Sequence, residues 1–145
     1  MIGILVVAHG ELGAQFISTA RLIGLNSEER VHALSVDPTE SPESIRQQLA
    51  QSIMKVNGGD GVLILTDLFG GTPTNVALSF LEDGKVEVVT GLNLPMMIKA
   101  INSRADQDLR SLANLASEAG KENIFRAGDV LQQRLRRRNS ADKNG

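Results

Sequence analysis

Two short, nearly uninterrupted apolar runs, residues 2–8 and residues 61–66 (GVLILT), most restrict how this chain can fold. A strand that is apolar at every position has no solvent face, so it must be covered on both sides. Each run breaks at a polar turn signal, His9-Gly10 after the first and Asp67-Leu68-Phe69-Gly70-Gly71 after the second. Parallel strands covered on both faces need crossover connections, and the segments between the runs carry helical patterning.

Leu12, Phe16, Ile17, Ala20 and Ile23 follow helical spacing, and that helix should stop around Gly24 to Asn26. A second strand is predicted at residues 31–36. Ser41 then reads as an N-cap, with Pro42 at the first helical position and Glu43 adding first-turn negative charge. The helix that follows carries Ile45, Leu49, Ile53 and Val56 on one face and ends at Asn57-Gly58-Gly59. After the third strand, Thr72 as a cap and Pro73 as first helical residue open a helix that should turn Val76, Ala77, Phe80 and Leu81 inward. A fourth strand is predicted at residues 86–90. Helices are expected at residues 95–102 and 109–119, a short extended segment at residues 123–126, a helical piece at residues 130–138 and a disordered tail at residues 139–145. The fold class is therefore α/β: a mostly parallel four-stranded sheet of order 2-1-3-4 with helices on both faces.

At 145 residues the chain suits one domain, and no internal repeat is evident. A formal charge of −2 gives no general reason to expect nucleic acid or an anionic membrane as partner. Without cysteine, thiolate catalysis and sulfur-ligated metals fall away, and two histidines make a poor metal site. No metal and no cofactor are expected. Trp and Tyr are absent, so platforms for stacking bases or sugars are scarce. No export signal opens the sequence, and no run approaches the roughly 20 apolar residues of a membrane span, so the expected location is cytoplasmic.

His9 and Asp67 each follow the carboxyl end of a buried strand, where open α/β sheets place ligands and reactive groups. With the first and third strands adjacent, the two side chains would meet. A carboxylate holding one imidazole nitrogen leaves the other with a free lone pair, which a histidine nucleophile needs. The segment Gly70-Gly71-Thr72-Pro73 adds backbone that can approach a ligand closely and a helix start that favours anions. Gly70, Gly71 and Thr72, with Thr66 at the end of the third strand, are candidates to frame a phosphoryl group bound to His9. Neither the nucleotide P-loop pattern nor the dinucleotide G-x-G-x-x-G is present, so ATP is not the expected donor. Singly, His9 reads as a solvated cap, Asp67 as a turn residue and GGTP as a loop before a capped helix. Their conjunction carries the argument. His32, inside the second strand, reads as structural, and the Arg134, Arg136, Arg137 and Arg138 cluster as a solvated basic helix end.

Three motifs, HGELG, LILTDLFGGTP and TGLNLPMM, in this order and each at a strand end, resemble the enzyme IIA domain of the mannose-type phosphotransferase system. The resemblance covers about residues 1–127, leaving residues 128–145 as a helix end and polar tail. It implies that His9 accepts a phosphoryl group from phospho-HPr and passes it to an enzyme IIB, with Asp67 in support. It further implies a homodimer that exchanges an antiparallel strand, for which residues 123–126 are the candidate. Thr72 stands where a serine is common in that family, which keeps the hydroxyl. No IIB sequence follows, so the receiver is expected to be a separate protein, with the chain at most peripheral to a membrane permease. The alternative is a regulatory module whose phosphorylation state selects partners without sugar transport. A third reading, a hydrolase or small-molecule enzyme of α/β type with His9 as general base, lacks an evident acid partner.

Overall fold

The strands predicted from the apolar runs form one parallel sheet, and the computed structural model describes residues 1–144 of the chain. The elements are β1 (Gly3–His9), α1 (Leu12–Ile23), β2 (Val31–Val36), α2 (Pro42–Val56), β3 (Val62–Thr66), α3 (Thr72–Leu78), β4 (Val86–Thr90), α4 (Leu94–Ser103), α5 (Leu109–Glu122) and α6 (Ala127–Asn144). A single 3-10 turn, Arg104–Asp106, joins α4 to α5. The sheet order is β2-β1-β3-β4, with all three pairings parallel.

Burial explains the patterning. β1 and β3 lie in the middle and are buried along their length up to His9, whereas β4, at an edge, is half-buried throughout. Alternation along the strands divides the core in two. Ile4, Val6, Ala8, Leu63 and Leu65 face a layer containing Ala20 of α1, Met97 and Ile101 of α4 and Leu112 and Ala116 of α5. Leu5, Val7, Val62 and Ile64 face Ile45 and Leu49 of α2 and Val76 and Ala77 of α3. The predicted start of α2 is in place: the Ser41 hydroxyl accepts from the Ser44 amide at 3.1 Å, and Pro42 is the first helical residue.

Four local expectations are corrected. α3 stops at Leu78 because Ser79, Phe80 and Leu81 donate to carbonyls three residues back, which tightens the turn, so Phe80 is only half-buried and Leu81 is 47% exposed. α5 runs on to Glu122, with Asn93 donating to the Gly120 carbonyl at 2.9 Å. Residues 124–126 form no strand in the single chain. Residues 139–144, expected as a disordered tail, continue α6, because no Gly or Pro follows Gly128 in that helix and Gln, Leu and Arg favour it. The remaining residue of that tail, Gly145, lies outside the described residues. A further tie was not anticipated: Arg104, buried, donates from Nη1 to the Ile2 carbonyl at 3.0 Å and from Nη2 to the Glu29 carbonyl at 2.6 Å. It fastens the end of α4 to the entrances of β1 and β2.

Leu63→Ala, in the fully buried centre of β3, should cost about 2–5 kcal/mol and lower the urea midpoint accordingly. Leu131→Ala, on a residue of α6 that is 59% exposed, should change stability by less than about 0.5 kcal/mol. Comparable losses in the two variants would mean that α6 is packed rather than free.

Candidate functional site

Register brings the two chemical side chains together. Val7 of β1 is level with Thr66, the last residue of β3, and β1 runs on beside β2 to His9, so Asp67 leaves the sheet beside the end of β1. This is the crevice where the connections on either side of the sheet diverge. His9 Nδ1 lies 2.7 Å from Asp67 Oδ2, and the His9 amide donates to the same oxygen at 3.0 Å. Asp67 Oδ1 accepts from the Leu68 amide at 2.9 Å.

The carboxylate is thus held from three directions. Burial pushes its pKa up, but the hydrogen bonds from the His9 amide, the His9 ring and the Leu68 amide outweigh burial and hold it below the usual carboxylate range. An ionised carboxylate only accepts hydrogen bonds, which assigns the ring proton to Nδ1 and the free lone pair to Nε2. The His9 side chain is 38% exposed while that of Asp67 is 9% exposed, so the ring reaches solvent and its anchor does not. Among the described residues Nε2 has no hydrogen-bond partner. A neutral imidazole in this state has one nitrogen ready to bond to an electrophile.

The loop after Asp67 is shaped by its glycines. Gly70 has φ +87°, a left-handed conformation that side-chain-bearing residues rarely adopt. Gly71 passes so near the ring that a Cβ there would lie 3.3 Å from His9 Cε1 and 3.2 Å from Leu68 Cδ1. Gly71, not Thr72, is the N-cap of α3, without a side-chain cap, so Thr72 and Pro73 each sit one position further into the helix than expected. The shift leaves the Thr72 hydroxyl without a capping role.

Thr66 is placed differently from the other candidates. It shares strand parity with Val62 and Ile64, faces the α2 and α3 layer, and is fully buried. Its Oγ1 lies 2.6 Å from Thr74 Oγ1, and the Thr74 hydroxyl donates to the Leu68 carbonyl at 2.5 Å. The Thr66 hydroxyl therefore lies beneath the loop rather than in the crevice, which corrects its expected position among the phosphoryl-framing residues. Thr74 was missed altogether. The available signal was the two-residue alternation of β3, which points Thr66 inward and requires a partner for its hydroxyl. His32 stands apart on β2, level with Leu5, whereas His9 is level with Val36. Burial first, and Lys55 second, push its pKa down. Arg134, Arg136, Arg137 and Arg138 are exposed on α6. Among the described residues no group of three His, Asp or Glu side chains is arranged to hold a metal ion, and no helix is long and apolar enough to cross a membrane.

Fold and site together define an α/β protein with a carboxylate-oriented histidine at the carboxyl edge of a parallel sheet. The chain belongs to the EIIA-man family, described as "PTS system fructose IIA component", which it matches over residues 3–117. Among relatives, the mannose-specific EIIAB component of Escherichia coli K12 is 31% identical over 125 residues, covering 85% of this chain. The chain spans only 38% of that relative's length. The fructose-specific EIIA component of Bacillus subtilis is 28% identical over 115 residues, 79% of this chain and 78% of that one. The crystal structure of the phosphotransferase system component EIIA from Streptococcus agalactiae superposes with a TM-score of 0.79 at 30% identity, covering 89% of this chain and 99% of that one.

Because the folded pKa of Asp67 is lowered, its contribution to stability is present above the unfolded carboxylate pKa of about 4 and is lost as pH falls through the lower folded value. The difference in urea midpoint between the parent and Asp67→Asn should therefore be largest near neutral pH and shrink below about pH 4. A difference that stays constant down to pH 3 would show that the charge of Asp67 is not what the fold uses.

Proposed function

We propose that the protein is a phosphocarrier that takes a phosphoryl group from phospho-HPr onto His9 Nε2 and delivers it to an enzyme IIB in sugar uptake. The observation that carries this reading is the 2.7 Å contact of His9 Nδ1 with a largely enclosed, ionised Asp67. The Nε2 lone pair attacks phosphorus as the donor's N–P bond breaks, and the donor imidazole leaves with that electron pair. No proton need leave His9. Nδ1 keeps its hydrogen, the ring becomes imidazolium-like, and Asp67 supplies the counter-charge. Gly70, Gly71 and Thr72 are the groups proposed to frame the phosphoryl oxygens, since the glycine backbone lies against the ring and the Thr72 hydroxyl has no partner among the described residues.

The protein acts in the cytoplasm, at most peripheral to a membrane permease, with residues 1–127 as the carrier domain. It functions as a homodimer in which residues 123–126 pair with β4 of a second copy. Two features support this: among the described residues β3 is the one strand beside β4, whose other edge is bridged only at Val86 by Glu82, and Ile124 and Phe125 are 75% and 66% exposed.

Incubation with phosphoenolpyruvate, enzyme I and HPr should add one phosphoryl group, labile in acid and stable in base, and His9→Ala should abolish it. Asp67→Asn should slow transfer by roughly 10² to 10³, less than the ~10⁴ known for a catalytic His that loses its Asp, because phosphohistidine is an activated donor. Label on a folded His9→Ala chain would move the site elsewhere. Light scattering should give a dimer that Phe125→Asp weakens, and a parent that remains monomeric at micromolar concentration would overturn the dimer.

A further inference from the structure

We propose that Thr66 and Thr74 are positioning residues for the His9–Asp67 pair, acting through the backbone of Leu68. This assignment rests on the phosphocarrier reading for its purpose but not for its geometry. Apart from the two His9 bonds to Asp67 and a 3.5 Å bond from Asn75 Nδ2 to the Gly70 carbonyl, the loop that carries Asp67 has little apolar cover: Leu68 and Phe69 are 51% and 74% exposed. Its anchorage from below is polar. The Leu68 carbonyl accepts from Thr74 at 2.5 Å, while the amide of the same residue donates to Asp67 Oδ1 at 2.9 Å. One residue thus links the buried threonine to the carboxylate, and a change in its backbone angles would move the carboxylate away from the His9 ring.

Direction follows from hydrogen counting. Thr74 has one hydroxyl hydrogen, and Leu68 receives it, so at the 2.6 Å contact with Thr66 the Thr74 oxygen is the acceptor and Thr66 the donor. The chain of bonds runs Thr66 to Thr74 to Leu68. Both threonines are fully buried, so water cannot replace either hydroxyl, and successive bonds of this kind polarise and strengthen one another. β3 fixes one end, because Thr66 is paired with Val7 on one side and Thr90 on the other. The central strand therefore sets the position of the loop, and through it the orientation of the ring.

Valine matches threonine in shape and lacks the hydroxyl, so the substitutions separate positioning from packing. Three variants of the full chain are compared with the parent by two readouts: the ring-nitrogen spectrum of unphosphorylated His9 across pH, and the rate of phosphorylation by phospho-HPr. The parent should hold its neutral-ring proton on Nδ1. Thr74→Val, which leaves the Leu68 carbonyl unpartnered, should give a mixed tautomer population and about ten-fold slower transfer, short of the ~10²-fold that a 1 Å misplacement can cost. Thr66→Val, which keeps the bond to Leu68, should have the smaller effect on both readouts, and Thr74→Ser should restore both. A folded Thr74→Val protein with the parent's ring spectrum, or a Thr74→Ser protein that fails to recover it, would overturn the assignment. If Thr74→Val does not fold, Thr66→Val decides: a shifted tautomer ratio supports positioning, and an unchanged one overturns it. A parent that takes no phosphoryl group would defeat the phosphocarrier reading, while the ring spectra would still judge the threonines.

Discussion

The parallel pairing of β1 with β3 is the constraint on which the rest of the molecule depends. The register that sets Val7 level with Thr66 ends β3 beside the last residues of β1, so Asp67, the first residue beyond β3, meets His9 at the end of β1. A slip of one residue would also turn Leu5 and Val7 into the layer meant for Ile4 and Val6, and the two halves of the core would no longer match their helices. Core packing therefore fixes the register, and the register fixes the site. The 2.7 Å contact is a result of hydrophobic sorting several residues away from it.

That dependence explains why the fold was largely readable from the residues. Runs 2–8 and 61–66 are apolar at almost every position, and only a strand at the centre of a covered parallel sheet accommodates that. Ser41-Pro42-Glu43 marks a helix start through local chemistry alone, and the Ser41 cap is where local chemistry puts it. The juxtaposition of His9 with Asp67 was also accessible, because it needs only the strand ends and the order 2-1-3-4.

What was not legible depends on contacts that no local pattern encodes. Whether Gly71 or Thr72 caps α3 is decided by how the loop must pass the His9 ring, a tertiary fact. Arg104 resembles any basic residue at a helix end, yet it is buried and bound to carbonyls of Ile2 and Glu29, residues distant in sequence. The tail after Arg138 is polar enough to suggest disorder, because the usual sign of a helix is a covered apolar face and α6 covers none of its own. Periodicity detects burial, and a helix that projects into solvent can go unmarked by it.

Thr66 shows how a correct element can still yield a misplaced side chain. Thr66 stood among the candidates to frame a phosphoryl group, but consecutive residues of a strand point to opposite faces. Counting in twos from Val62 turns Thr66 toward α3 and away from the crevice. A hydroxyl sent into a layer of Val, Ile and Leu must find a partner there, and the only polar residue α3 buries is Thr74. The threonine pair is thus a consequence of strand parity together with the cost of an unsatisfied hydroxyl. Since Thr74 must pass its own hydrogen on, the nearest loop carbonyl, that of Leu68, is held as well. The order of the loop above the sheet follows from satisfying one buried group after another, beginning with a single polar residue at the end of an apolar strand.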